Sequence, residues 1–205
     1  MPQPRRLSRL PVPPVRSLPA DLQKYLRVCA GRLGLVPNVL RAYALRPGRL
    51  RQFINTYNDL MLGDGSGLSV LEREMIAVVV SSANRCYYCL VAHGQAVRQL
   101  SGDPELGELL AINWRLAPLP ARQRRMLDFA HRLTTAPETV AEADRRALRR
   151  AGFSARDLFD IAEVAAFFNY TNRMASALEM MPNPEYHAMD RTPAVRVPAR
   201  RRPRR

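Results

Sequence analysis

The four residues Ser69-Val70-Leu71-Glu72 write a helix start into the chain. The Ser69 hydroxyl can accept from the Glu72 amide, and the Glu72 carboxylate can reach back to the Ser69 amide, which together make a capping box. The helix they open is predicted to run through Met75, Ile76, Val79 and Val80 to about Ala83, where Asn84-Arg85 breaks it. A second helix is predicted to begin close to Cys86 and to end near Leu100, with Gly102 beyond it. Helices joined by so short a break pack as antiparallel neighbours.

The same punctuation recurs on both sides. Asp21–Leu33 carries Leu22, Tyr25, Leu26, Val28, Cys29 and Leu33 close to a 3.6-residue period, and Gly34 stops it. Pro37 suits the first turn of a helix running to about Leu45. Pro47 opens another, with Leu50, Phe53, Ile54, Tyr57 and Leu60 on one face before the Gly63–Gly67 loop. Further helices are predicted at Pro104–Ala111, Pro120–Leu133, Thr139–Ala151 and Ser154–Leu178, separated or ended by Thr134–Pro137, Gly152 and Pro182. No alternating strand pattern stands out between residues 18 and 189. The expected fold is therefore all-α, a single helical domain over 18–189 with no sharp internal repeat. An apolar fraction of 47% suits a globular protein of this length. The longest apolar runs, such as Ile76–Val80, fall far short of the roughly 18–20 residues of a membrane span.

A formal charge of +14 invites a nucleic-acid reading, so its location matters. Arg5, Arg6, Arg9 and Arg16 meet no acid in residues 1–16, and Arg191, Arg196, Arg200, Arg201, Arg202, Arg204 and Arg205 face only Asp190 in residues 190–205. The two ends thus hold ten of the fourteen charges. Both are also rich in Pro, so residues 1–17 and 190–205 are expected to be tails, disordered or ordered only where they lie on a neighbour. Lys24 is the only lysine, which makes the arginine excess a bias of the whole chain rather than of one patch. The N-terminus has no apolar signal region, and its prolines break the amphipathic helix that a transit peptide needs. The expected compartment is the cytoplasm, where a Cys-x-x-Cys pair reads as redox-active or metal-binding rather than as a structural staple.

On the helix starting near Cys86, the spacing Cys86, Cys89, His93 is i, i+3, i+7, so the three side chains share one face. A thiol in the first helical turn feels unpaired amides that favour the thiolate, the reactive species. A second thiol three residues away can attack a sulfenic acid or mixed disulfide formed at the first. His93 can take or give a proton near neutral pH. Glu74 enters from the preceding helix. With Ala77, Val78 and Ser81 on its face, it is either solvent-facing or a buried carboxylate with a partner, and the sequence leaves both open.

Glu74, then Cys86-Tyr87-Tyr88-Cys89 twelve positions on, then His93, resembles the core motif of the alkylhydroperoxidase D and carboxymuconolactone decarboxylase superfamily. Gly34–Asn38, Arg46-Pro47, Leu68–Glu74, Cys86–Gly94 and Phe168–Arg173 resemble its peroxidase-related branch, and the resemblance covers roughly residues 18–185. It implies an alkylhydroperoxidase D-like all-α fold, a homo-oligomer, and reduction of a hydroperoxide with re-reduction by a thiol or dithiol partner. No metal, haem or flavin is required. Cys89 would be the peroxidatic thiol, Cys86 would resolve it to a disulfide, and His93 with Glu74 would form a proton relay. Helix-dipole reasoning points instead to Cys86 as the thiol of lower pKa. The best-known members carry a histidine where this chain has Tyr88. A phenol with a pKa near 10 is a poor shuttle at neutral pH, so the relay would run through His93, a water, or the Tyr88 hydroxyl as a fixed hydrogen-bond donor.

Other readings stand beside this one. Cys86, Cys89, His93 and Glu74 are acceptable zinc ligands, although structural zinc sites usually bring a second ligand pair from a loop. The cysteines can also be an inert buried pair. The chain can be a general disulfide oxidoreductase, a decarboxylase-type lyase, or a nucleic-acid-associated protein acting through its arginine tails. Cys29 is expected in the core, His131 at a surface or interface, and His187 without a role. Asn169, Asn172 and Arg173 are expected to satisfy helix ends or subunit contacts, or less simply to line a substrate pocket.

Overall fold

The capping box forms as written. Ser69 Oγ accepts from Glu72 N at 3.2 Å, and Ser69 N donates to Glu72 Oε2 at 3.0 Å. In the computed structural model, which describes residues 5–192, the helices in chain order are α1 (Ala20–Leu33), α2 (Asn38–Tyr43), α3 (Pro47–Tyr57), α4 (Val70–Ala83), α5 (Tyr87–Ser101), α6 (Pro104–Asn113), α7 (Ala121–Thr135), α8 (Glu142–Arg150) and α9 (Ala155–Ala177). Among the described residues there is no strand. The helices fall where the sequence pattern puts them, within a few residues at each end. Five short elements come in addition: α3 continues into a π-helical turn, Asn58–Leu62, and 3-10 turns form at Val15–Ser17, Trp114–Leu116, Pro137–Thr139 and Pro184–His187.

Helix α4 is the axle of the fold. Every residue from Glu72 to Ser81 is buried, and the helix packs against α5, α6, α7 and α9. A helix covered on all sides is expected to be apolar all round, yet α4 buries Glu72, Arg73, Glu74 and Ser81. Buried polar groups need partners, and each of these has one. Glu72 holds the Ser69 amide and pairs with Arg122. Arg73 Nη1 donates to the carbonyls of Leu60 at 3.1 Å and Gly63 at 3.0 Å. Glu74 meets His93, and Ser81 Oγ accepts from Asn172.

The end of α4 sets the site. Arg85 N donates to Ser82 O at 3.0 Å and Cys86 N donates to Ser81 O at 2.9 Å. This is a Schellman closure, in which glycine usually takes the left-handed position; here Arg85 takes it, at φ 53°. The turn is so tight that Cys86 becomes the residue capping α5.

Two apolar cores flank this junction. The larger gathers α4, α6, α7, α8 and most of α9 around Met75, Ile76, Leu127 and Phe168. The smaller gathers α1, α2 and α3 with the start of α5, including Cys86, Tyr88 and Cys89. The N-terminal segment lies on this smaller core, with Leu7 and Val15 packed against it. Arg9 N donates to Leu178 O at 3.0 Å, Met181 N to Leu7 O at 2.9 Å, and Arg6 and Arg9 pair with Glu179. Expected disorder therefore gives way over this stretch to order on a neighbouring part of the same chain. Toward the other end, Arg98 Nη2 donates to Tyr186 O at 2.8 Å, Gln95 Nε2 to Asp190 Oδ2 at 2.6 Å, and Arg191 pairs with Glu108. The remaining arginines of the C-terminal tail, Arg196 to Arg205, lie outside the described residues.

Candidate active site

Glu74 sits in the second turn of α4 and His93 in the second turn of α5, and the packing of these helices brings them together. His93 Nδ1 lies 2.6 Å from Glu74 Oε2. The carboxylate side chain is only 4% exposed and the imidazole 12%. Of the two readings left open for Glu74, the structure selects the buried carboxylate with a partner. One edge of the imidazole is also fixed by Phe168 of α9, whose ring meets it edge to face at 4.6 Å.

Cys86 and Cys89 are free thiols, 2% and 3% exposed. Cys86 is the thiol of lower pKa in the pair. Its pKa is brought down to about 7, chiefly by the hydrogen bond from the Cys89 thiol, against the opposing effect of burial, and further by the Cys89 amide and by His93. Cys89 is pushed up, first by that same hydrogen bond and then by burial, while Asn172 and Ser81 pull it down. The lower pKa thus falls on the sulfur that helix-end reasoning favours, and the raised one on the sulfur that the family resemblance favours.

Helix α9 runs past these groups in reverse order. Along α5 the sequence is Cys86, Cys89, His93. Along α9, Ser176 meets Cys86, Asn172 meets Cys89, and Phe168 meets His93. These three α9 residues are spaced i, i+4, i+8 and so form one stripe. Behind them runs a chain of amides. Asn172 Nδ2 donates to Ser81 Oγ at 3.0 Å, and Asn84 Nδ2 donates to Asn172 Oδ1 at 2.9 Å and Asn169 Oδ1 at 3.0 Å. Asn172 is 1% exposed, so it serves neither as a helix end nor as a surface contact. Sequence reasoning noticed Asn172 without placing it at the thiols, named Ser81 and Asn84 only for the helix they belong to, and passed over Ser176. The available signal was the four-residue stripe through Phe168, Asn172 and Ser176.

The remaining expectations resolve residue by residue. Tyr88 is buried, and its hydroxyl oxygen accepts the Val39 amide at 3.0 Å. That amide belongs to the first turn of α2, so Tyr88 caps a neighbouring helix, and burial pushes its acidity well out of the neutral range. The residue adds anchorage of α2 to the thiol helix. Tyr57, which the sequence placed only on a packing face, stands beside the Glu74–His93 pair: its ring is 6.4 Å from His93, and burial and then the Glu74 charge push its hydroxyl up. Cys29 is half-buried next to Tyr25, with burial raising its pKa. His131 lies 6.1 Å from Trp114, and burial followed by Arg115 lowers its pKa. His187 Nε2 is 3.2 Å from the Tyr87 hydroxyl. Among the described residues, no three His, Cys, Asp or Glu side chains group closely enough to hold a metal ion, and no helix is long and apolar enough to cross a membrane.

Residues 48–113, which contain Glu74, Cys86, Cys89 and His93, match the carboxymuconolactone decarboxylase family. An uncharacterized peroxidase-related protein from Silicibacter sp. TM1040 is 59% identical, with a TM-score of 0.89 over 93% of this chain and 100% of its own. An uncharacterized peroxidase-related protein from Ralstonia eutropha JMP134, described as an alkylhydroperoxidase AhpD core, is 43% identical, with a TM-score of 0.90 over 93% of this chain and 100% of its own. The debrominase Bmp8 shares the fold at 19% identity, with a TM-score of 0.72 over 90% of this chain and 96% of its own. No curated protein matches the chain.

Proposed function

The chain belongs to the alkylhydroperoxidase D and carboxymuconolactone decarboxylase superfamily, in its peroxidase-related branch, and from that premise we propose that it reduces hydroperoxides by cycling between the Cys86/Cys89 dithiol and a Cys86–Cys89 disulfide. The observation that carries this reading is the 2.6 Å contact of His93 Nδ1 with a buried Glu74 carboxylate, one helical turn from a free dithiol. A buried acid that fixes one imidazole nitrogen leaves the other free to move a proton at a reacting oxygen.

The steps follow from these groups. The dithiol holds one proton between two sulfurs, with the negative charge resting on Cys86. Cys89 is the sulfur nearer His93 along α5, and it attacks the peroxide as its proton passes to Cys86 along their hydrogen bond. The O–O bond breaks, Cys89 becomes a sulfenic acid, and the departing alkoxide takes a proton from His93. The Cys86 thiol then displaces hydroxide from the sulfenic sulfur, and the hydroxide leaves with the thiol proton as water. One peroxide has gained two electrons, and one disulfide has formed. A thiol or dithiol partner returns the electrons.

The site needs no metal, haem or flavin for this cycle. Assembly as a homo-oligomer belongs to the same reading and rests on the family resemblance. The test is mass spectrometry of the reduced protein before and after one equivalent of cumene hydroperoxide. A loss of two hydrogens confined to the Cys86–Cys89 peptide is expected, and an unchanged mass would refute the proposal. Full hydroperoxide-independent lyase activity in a Cys89→Ser variant would favour the decarboxylase reading instead.

A further inference from the structure

The two ends of the thiol pair face different surroundings. At the His93 end lie Glu74, Phe168 and Tyr57, a proton-handling and aromatic setting. At the Cys86 end a groove of about 310 Å³ is lined by Asn84, Asn172, Arg173 and Ser176. Ser176 and Arg173 are exposed, whereas Asn172 is buried, so the groove runs from solvent down to the amide that meets Cys89. Ser176 itself reaches Cys86. Eight residues of α9 separate Ser176 from Phe168, roughly 12 Å along the axis, so the groove opens on the Cys86 side of the thiol pair, away from His93 and Glu74, with Ser176 and Asn172 between it and the buried sulfurs.

The lining has a definite chemistry. It holds one cation, two amides and a hydroxyl, and no carboxylate. Arg173 Nη1 is fixed on Asn169, at 2.7 Å from its carbonyl and 2.9 Å from its side-chain oxygen. Among the described residues, the other Arg173 guanidinium nitrogens donate to nothing. A guanidinium with free donors beside neutral amides recognises a carboxylate. Breaking a disulfide requires an attacking thiolate and a stabilised leaving thiolate, but no acid relay.

We propose that this groove is the reductant site, and that it takes a small thiol bearing a carboxylate. The inference rests on the dithiol–disulfide cycle proposed above and names its electron donor by class. With the carboxylate on Arg173, the donor thiolate attacks Cys86 Sγ. The Cys86–Cys89 bond breaks, a mixed disulfide forms at Cys86, and Cys89 leaves as a thiolate that accepts from Asn172 and Ser81. Those two groups already lower the Cys89 pKa, and the main opposing influence, a negative Cys86, is absent in the mixed disulfide. A second donor thiolate attacks the donor sulfur of the mixed disulfide and releases Cys86. Two thiols have become one small disulfide, and solvent supplies the protons.

The experiment uses the full chain oxidised with diamide, so that the disulfide forms without peroxide. Its reduction is followed by acid quench and thiol counting, with glutathione as the carboxylate-bearing thiol and 2-mercaptoethanol as the neutral one. Arg173→Glu is expected to lower the second-order rate constant for glutathione at least tenfold and to change that for 2-mercaptoethanol less than twofold. Arg173→Lys is expected to retain most of the glutathione rate. Equal effects on both thiols, or no effect on glutathione, overturn the groove assignment and leave the peroxide reading standing. A protein that diamide cannot convert to the disulfide overturns both. One that cycles with diamide and glutathione but ignores hydroperoxide overturns only the peroxide reading.

Discussion

Glu74 Oε2 and His93 Nδ1 meet at 2.6 Å across the α4–α5 interface, with the carboxylate closed off from solvent. The contact fixes which imidazole nitrogen is left for chemistry. Glu74→Gln keeps the shape and a hydrogen-bonding oxygen but removes the charge. Positioned acid–base groups commonly contribute 10²–10⁴ in rate. The expected result is a fall of about a hundredfold or more in peroxide-driven disulfide formation by stopped flow, with the far-ultraviolet circular dichroism of the wild type. An unaltered rate would remove the relay from the mechanism.

The Cys86 thiol is predicted to titrate near pH 7, because the Cys89 thiol and amide donate to its sulfur. Its thiolate is present above that pH and is lost as the pH falls through it. Alkylation of Cys86 by iodoacetamide should therefore be half-maximal near pH 7. In Cys89→Ala the principal donor is gone, and the midpoint should move up toward that of an ordinary thiol. A midpoint already near that of free cysteine in the wild type would contradict the assignment.

Single-cysteine variants decide which sulfur attacks. In Cys86→Ser, hydroperoxide should leave a sulfenic acid on Cys89 that dimedone traps as a stable adduct seen by mass spectrometry. In Cys89→Ser little adduct is expected at Cys86, since the helix register puts Cys89 beside His93 and Cys86 beside Ser176. Predominant trapping at Cys86 would instead make the resting thiolate the nucleophile.

What the sequence made legible was what depends on local spacing. The Ser69–Glu72 box, the helix periods, and the shared face of Cys86, Cys89 and His93 all act within a few residues, so they can be read directly. Glu74 came through the family resemblance, because its contact with His93 joins two helices and no single helix encodes it. The parts that escaped are tertiary in the same way. Asn172 and Ser176 meet the thiols only because α9 runs antiparallel to α5 in one register. Tyr88 entered the site through the resemblance, at the position where the best-known members carry a histidine, and its hydroxyl accepts the Val39 amide. Composition left the N-terminal tail either disordered or ordered only on a neighbour, and Leu7, Val15 and two backbone bonds tie part of it to the same chain.

The amide chain behind Cys89 predicts a stability effect. Asn172 is buried, donates to Ser81 and accepts from Asn84. Asn172→Ala leaves the Ser81 hydroxyl and the Asn84 amide without those bonds, and a buried group so stranded costs about 1–3 kcal/mol. Urea unfolding should show a loss in that range. A loss below the precision of the measurement would mean that water replaces the amide fully.

Arg85 offers the last test, because its backbone does something that its side chain opposes. Its φ of 53° is left-handed, a region that costs an L-residue about 1–2 kcal/mol and glycine nothing comparable. The conformation is needed because only a left-handed residue here lets Cys86 N reach Ser81 O and close α4 directly onto α5. Arg85→Gly relieves the strain but adds freedom to the unfolded chain worth about 0.5–1 kcal/mol. A net gain of roughly 0.5–1 kcal/mol follows, which for a chain of this size raises Tm by about 1–4 °C. Arg85→Val should act in the opposite direction, since a branched side chain resists the left-handed region most. If the closure also holds Cys86 at the helix start, Arg85→Val should raise the alkylation midpoint of Cys86 as well as lower Tm. A variant that loses stability while Cys86 still titrates near pH 7 would separate the turn from the chemistry.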